Sequence, residues 1–191
     1  AHTIMHNYLP RFFTFIKTLN KDYIKKLDNN IGIIYRNYSI NYDKKLIEKM
    51  RNFCKKNNKK FYLSNNIVLA KNLRLDGVYI PSFNSLLNTD YLNQKKNFLK
   101  IGSAHSVKEI RIKEKQGVKL LFISPLFKKK EKKNYLDCVK FNNLAMHTSL
   151  KIIALGGINK KNISRIKLTK AYGFASITFF KENPTLTKEI L

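Results

Sequence analysis

The sequence predicts an α/β fold, a single (β/α)8 TIM barrel of minimal size. Eight short apolar runs recur along 191 residues, helical patterns separate most of them, and no linker or low-complexity stretch divides the chain. The runs lack strict apolar–polar alternation, which marks strands covered on both faces, as in a parallel sheet. Eight such units favour a closed barrel over an open doubly wound sheet. No Gly-x-Gly-x-x-Gly follows the first run, so a dinucleotide fold has no support. The expected domain covers residues 1–191, with 1–9 as an irregular N-terminal arm.

The elements follow in order. Residues 11–17 (RFFTFIK) read as the first strand and 21–27 as a Lys-rich helix. Residues 31–36 (IGIIYR) form the second strand. The helix over 43–56 places Leu46, Met50, Phe53 and Cys54 on one stripe. Strands three and four fall at 60–64 and 75–80, with a short helix at 66–73 between them and Pro81 closing the fourth. The second half repeats the rhythm: strand 98–102, helix 106–116, strand 118–124, helix 136–147, strand 150–155, helix 159–169, strand 173–178 and a last helix at 187–191.

Composition narrows the function. The apolar share is 43%, with no run long enough to span a membrane, and the start lacks the basic-then-apolar order of a signal peptide. Cys54 and Cys138 are far apart without metal-type spacing, so reduced thiols and a soluble cytoplasmic protein are expected. The formal charge of +26 invites a nucleic-acid partner. Against it, Arg supplies only six of the 38 basic residues, and the Lys residues are scattered over most segments. No nucleic-acid or membrane partner is expected. The positive field instead favours phosphorylated small molecules.

In a barrel the chemistry sits in loops after the strands, and phosphate sites favour those after strands seven and eight. Gly156-Gly157 follows strand seven and would let backbone N–H groups approach an anion; Ile177-Thr178 adds amides and a hydroxyl. Arg36 ends strand two as the one basic residue in an apolar run, suited to bidentate phosphate binding or to a rim ion pair. Ser103 and His105 follow strand five; the histidine could serve proton transfer or pack at a helix start. His147 ends a helix, where a cation suits the helix dipole. The Lys-rich segment 128–133 reads as a solvated loop or as an electrostatic lid over a polyphosphate.

These segments resemble the thiamine phosphate synthase family, which includes a thiazole tautomerase branch, and are similar to its divergent alphaproteobacterial members. The resemblance rests on Asp76-Gly77-Val78-Tyr79-Ile80, Ile101-Gly102-Ser103-Ala104-His105-Ser106, Ile123-Ser124-Pro125-Leu126-Phe127 and Ile153-Ala154-Leu155-Gly156-Gly157-Ile158, each at a successive strand end. It implies a transferase of thiamine biosynthesis that joins a pyrimidine diphosphate to a thiazole phosphate and releases pyrophosphate. It further implies Arg36, Ser103 and Lys132 as the catalytic, diphosphate-handling groups, and Gly156, Gly157, Ile177 and Thr178 at the thiazole phosphate. Magnesium is the implied cofactor, yet Ser64-Asn65 and Asn84 stand where the family carries its metal-binding Asn-Asp and aspartate. Magnesium prefers anionic oxygen, so no metal ligand is assigned, and these three join His105 as substrate-binding candidates.

Two other functions compete. A thiazole phosphate tautomerase would need no pyrophosphate handling and would use His105, although Ser124-Pro125 replaces that branch's catalytic histidine. A non-catalytic binder of phosphorylated thiamine precursors would keep the pocket without the reaction.

Overall fold

The computed structural model describes residues 9–38, 41–87, 97–129 and 134–185. Its strands are β1 (Phe12–Ile16), β2 (Ile31–Tyr35), β3 (Phe61–Ser64), β4 (Gly77–Ile80), β5 (Leu99–Ala104), β6 (Leu120–Ile123), β7 (Lys151–Leu155) and β8 (Gly173–Ala175). They form a closed parallel barrel in chain order, as expected. Closure comes from β8 pairing with both β7 and β1, with Phe174 in register with Ala154 on one side and Phe12 on the other.

Alternate residues divide between two cores, because successive side chains of a strand point to opposite faces. Phe13, Phe15, Ile34, Tyr62, Tyr79, Ile101, Leu120, Phe122, Ile153 and Ala175 pack together in the lumen. Their partners in the alternation, such as Phe12, Ile33, Leu63, Val78, Leu121 and Ile152, face the outer layer. Four aromatic rings stack edge-on through the lumen: Phe13 on Phe122 at 5.2 Å, and Phe15 and Phe122 on Tyr79 at 5.3 and 5.5 Å. The lumen is thus a packed core, and a ligand is left the mouth.

The outer layer begins with α1 (Lys21–Lys26), α2 (Lys44–Lys56) and α3 (Ile67–Asn72), followed after β5 by α4 (Val107–Lys115) and after β6 by α5 (Asp137–Ala145). Asn20, Asp43, Asn66 and Ser106 each accept a backbone N–H at the start of α1, α2, α3 and α4, satisfying donors that the helix itself cannot. On α2, Ile47, Met50 and Cys54 are buried, while Leu46 and Phe53 are partly buried against the same core.

Two segments differ from expectation. Only residues 163–168 of the expected helix 159–169 are helical, as a 3-10 helix with no buried residue. Ile163 and Ile166 are only partly buried against the core, and Asn159 and Asn162 divert the local backbone: the Asn162 side chain accepts from the Asn159 N–H at 2.9 Å, and both amides donate to the Gly157 carbonyl. The eighth strand ends at Ala175 rather than Thr178, and α6 (Thr178–Glu182) begins at once. Ser176 Oγ accepts from the Phe179 N–H at 3.1 Å, and Phe180 stacks on Phe174 at 5.2 Å, so burial of two phenylalanines bends the chain into a helix. The helix expected at 187–191 and residues 1–8 of the expected arm lie outside the described residues; Leu9 packs against the lumen cluster.

Three lysines, Lys59, Lys100 and Lys113, are buried. Lys113 is fully buried, and burial lowers its pKa from the ordinary 10.5 to about 8, opposed by the charge of Glu109.

Between pH 8 and 10.5 the unfolded chain holds a proton on Lys113 that the folded chain has released, so this residue raises stability as pH rises through that window. Relative to Lys113→Met, the wild type should gain on the order of 3 kcal/mol across it, read by urea unfolding at several pH values. Gly77→Ala is expected to be harsher than a surface change, because a Cβ there would collide with the Leu99 carbonyl across the β4–β5 ladder. A loss of about 3 kcal/mol in the same assay is the expected outcome.

Candidate functional site

The alternation that fills the lumen also decides what reaches the mouth. Two residues beyond each last inward side chain, the parity that points Ile34, Tyr62, Ile101, Phe122 and Ala175 inward carries to Arg36, Ser64, Ser103, Ser124 and Ile177. These positions end β2, β3, β5, β6 and β8 at the same end of one closed barrel.

Arg36 extends the β1–β2 ladder through its N–H to the Ile16 carbonyl at 2.9 Å, and its guanidinium carbon lies 4.2 Å from the centre of the Phe15 ring. The ring face attracts the cation and fixes the fork over the floor of the mouth. Among the described residues no carboxylate pairs with it.

Across the mouth, Ser103 hydrogen-bonds the Tyr79 phenol. Burial pushes that phenol up to about 12, with the Ser103 bond and the nearby Arg36 charge opposing. Ser64 is fully buried, its hydroxyl bonded to the Tyr38 hydroxyl at 2.8 Å and its carbonyl accepting from Tyr42 at 2.6 Å. The Tyr38 ring, half exposed, meets Phe83 edge-on at 5.6 Å. Arg36, Ser64 and Ser103 therefore share one polar surface above the aromatic floor, joined through Tyr38 and Tyr79. Neither tyrosine stood out in the sequence as a site residue. The available signal was Tyr79's place on the inward parity of β4, which only the register reveals.

Asn65 and Asn84 come together: Asn84 Nδ2 donates to Asn65 Oδ1 at 2.7 Å. Asn65 holds a left-handed backbone (φ 59°), a conformation asparagine tolerates better than most residues, with its N–H on the Tyr79 carbonyl at 2.8 Å. Asn84 Oδ1 accepts from the Leu86 N–H at 3.0 Å. Each side-chain oxygen accepts one hydrogen bond, both are neutral, and no group of three His, Cys, Asp or Glu among the described residues could hold a metal. This donor set does not fit Mg²⁺.

His105 lies at the rim and is exposed. Its Nδ1 donates to the Ser124 carbonyl at 2.7 Å, and its N–H donates to Glu109 at 2.6 Å where α4 begins. These bonds tie it to the end of β6 and to the first turn of α4. His147 is exposed in the turn after α5.

Gly156 (φ 99°) and Gly157 (φ 72°) have the backbone that favours glycine. They are also needed for close packing by the loop after β6. A Cβ on Gly156 would meet Pro125 Cα at 2.9 Å and Lys129 Cε at 3.0 Å, and one on Gly157 would collide with the Phe127 carbonyl. The Phe127 N–H donates to the Gly156 carbonyl at 3.0 Å. The pair therefore binds the β6 loop to the end of β7 and brings Lys129 over it. Ile177 packs on the lumen cluster and Thr178 is exposed at the first position of α6, so these two start a helix instead of ending a strand. Lys132 lies outside the described residues.

Residues 30–180 match the TMP-TENI family, described as thiamine monophosphate synthase. A thiamine-phosphate synthase of Prochlorococcus marinus is 32% identical over 125 residues, covering 63% of this chain and 35% of that protein. A thiamine-phosphate synthase of Pelotomaculum thermopropionicum is 34% identical over 79 residues, covering 40% and 36%. The chain thus matches about a third of the length of each of these two curated relatives. The solved structure of a thiamine phosphate pyrophosphorylase from Pyrococcus furiosus superposes with a TM-score of 0.72 at 16% identity, over 88% of this chain and 85% of that one.

The glycine geometry generates a test. Gly157→Ala should cost about 2 kcal/mol in chemical denaturation, from a strained φ and from displacement of the β6 loop. Thr178→Ala, at an exposed position, should leave stability within about 0.5 kcal/mol.

Proposed function

This chain belongs to the thiamine monophosphate synthase family, and from that premise we propose that it joins a hydroxymethylpyrimidine diphosphate to a thiazole phosphate in thiamine biosynthesis. The bond from the pyrimidine methylene to the diphosphate oxygen breaks, pyrophosphate departs with the electron pair, and the thiazole nitrogen forms the new carbon–nitrogen bond. The protein's share of the work is to hold two anions close together and to stabilise charge on the leaving group.

The observation that carries this reading is Arg36, a guanidinium held on Phe15 at the mouth without a carboxylate partner among the described residues. In this assignment Arg36 takes the diphosphate, with Ser103 beside it and Ser64, Asn65 and Asn84 lining the same side. Lys132 belongs to the same role by family likeness. The amides around Gly156-Gly157 and Ile177-Thr178 take the thiazole phosphate from the neighbouring arc of β7 and β8, which adjoins β2 through β1.

The diphosphate charge is assigned to cationic side chains, since the oxygens of Asn65 and Asn84 are neutral and already bonded. No step is routed through a metal. Free buried Cys54 and Cys138 suit a reducing compartment, which supports the reading of a cytoplasmic activity. No helix among the described residues is long and apolar enough to cross a membrane.

Purified protein incubated with both substrates should yield thiamine phosphate at catalytic enzyme concentrations, with a rate that changes less than about twofold when EDTA replaces Mg²⁺. Arg36→Gln should lower kcat/KM by roughly 10²–10³-fold, the scale of losing one group that stabilises developing negative charge. Absence of product with and without Mg²⁺ would overturn the assignment.

A further inference from the structure

Lys113 on α4 and Gln116 at its C-cap stand three residues apart, in the layer outside the barrel wall. Both are fully buried. The Lys113 ammonium donates to the Pro81 carbonyl at 2.8 Å, the Asn84 carbonyl at 2.7 Å and Gln116 Oε1 at 3.0 Å. The Gln116 amide donates to the Asn84 carbonyl at 3.0 Å and the Leu86 carbonyl at 2.9 Å. An ammonium has three protons, and here each has an acceptor. Gly102 makes room for the lysine chain, since a Cβ there would lie 2.9 Å from Lys113 Cδ.

Four of these five bonds end on Pro81, Asn84 or Leu86, in the segment after β4. Its large apolar side chains, Phe83, Leu86 and Leu87, are 65%, 72% and 52% exposed, so hydrophobic burial does not fix its path. Its side chain at Asn84 nevertheless reaches Asn65 at the end of β3. A peptide carbonyl gripped from below by a charged donor fixes the residue's Cα, and with it the direction of the amide at the mouth.

We propose that Lys113, seconded by Gln116, is a positioning residue that sets the β4 loop so that Asn84 meets Asn65 on the diphosphate side of the mouth. The proposal rests on the function assigned above for its kinetic consequence, but its structural content stands apart from that. Lys113 touches no substrate; it acts through the Asn84 backbone. The thiazole phosphate side, built on β7 and β8, is independent of this contact.

Lys113→Met, Gln116→Ala and Lys100→Met separate positioning from simple loss of a buried polar group. Lys100 is also a buried lysine, but its ammonium donates to the Gln116 carbonyl at 3.1 Å, at the end of α4. In hydrogen exchange of the whole chain, the Asn84 and Leu86 amides should exchange at least about tenfold faster in Lys113→Met, a factor equal to roughly one charge-assisted hydrogen bond. Gln116→Ala should move them the same way by less, and Lys100→Met should leave them protected even where it lowers the melting temperature. In steady-state kinetics, Lys113→Met should raise KM for the pyrimidine diphosphate about tenfold and leave KM for the thiazole phosphate within about twofold. Unchanged protection of both amides would overturn the proposal, as would an equal rise of both KM values shared by Lys100→Met. If Lys113→Met does not fold, Gln116→Ala decides by the same readouts. If the wild type makes no thiamine phosphate, the function assigned above fails while the exchange comparison still judges the clamp.

Discussion

Hydrogen bonding of β8 to β1 closes the barrel, and that closure constrains everything at the mouth. An open sheet would leave Phe12 and Phe174 on two free edges. Joined, they sit 5.2 Å apart edge-on and bring the ends of β7, β8, β1 and β2 into one arc. The rings of Phe13, Phe15, Tyr79 and Phe122 fill the lumen beneath. A filled lumen leaves polar side chains with inward parity only the open end, where they can keep water or a ligand. Arg36 is the clearest case, since its charge has solvent on one side and an aromatic face on the other.

The polar mouth is built of neutral groups around one guanidinium. Tyrosine and serine hydroxyls bond each other in pairs, Tyr38 with Ser64 and Tyr79 with Ser103, and the two asparagine amides bond each other. Such a surface keeps its shape without ion pairs. Its desolvation cost is modest beside that of buried carboxylates, and it leaves the Arg36 field uncancelled on that side. In the proposed reaction this field, with the lysines beyond it, meets the diphosphate charge.

Support for the mouth comes from outside the barrel. The glycine pair after β7 serves as a seat for the β6 loop, and the segment after β4 hangs on Lys113 and Gln116. Directional contacts act in both places: a backbone bond from Phe127 to Gly156 beside the buried side chains of Leu126 and Phe127 in one, an ammonium with three acceptors in the other. Directional contacts hold exposed loops in place where hydrophobic packing, being non-directional, would not specify a path.

How much was legible beforehand follows from which interactions are local. Eight apolar runs and the placement of Arg36, Ser103 and Gly156-Gly157 at strand ends were all readable, because strand and helix patterns depend on neighbours a few residues away. Tyr79, Tyr38 and Ser176 were not, since their partners Ser103, Ser64 and Ile158 lie 18 or more residues distant. The last strand was read three residues too long for the same reason: the bond from the Phe179 N–H to Ser176 Oγ and the stacking of Phe180 on Phe174, which turn the chain into α6, appear only once β8 is in place. The sequence by itself determined the element order and the chemical character of the mouth. Only the tertiary structure decided that two asparagines face each other and that a buried lysine holds one of them, because contacts across the chain are set by the register of the closed barrel and leave no periodic trace in the sequence.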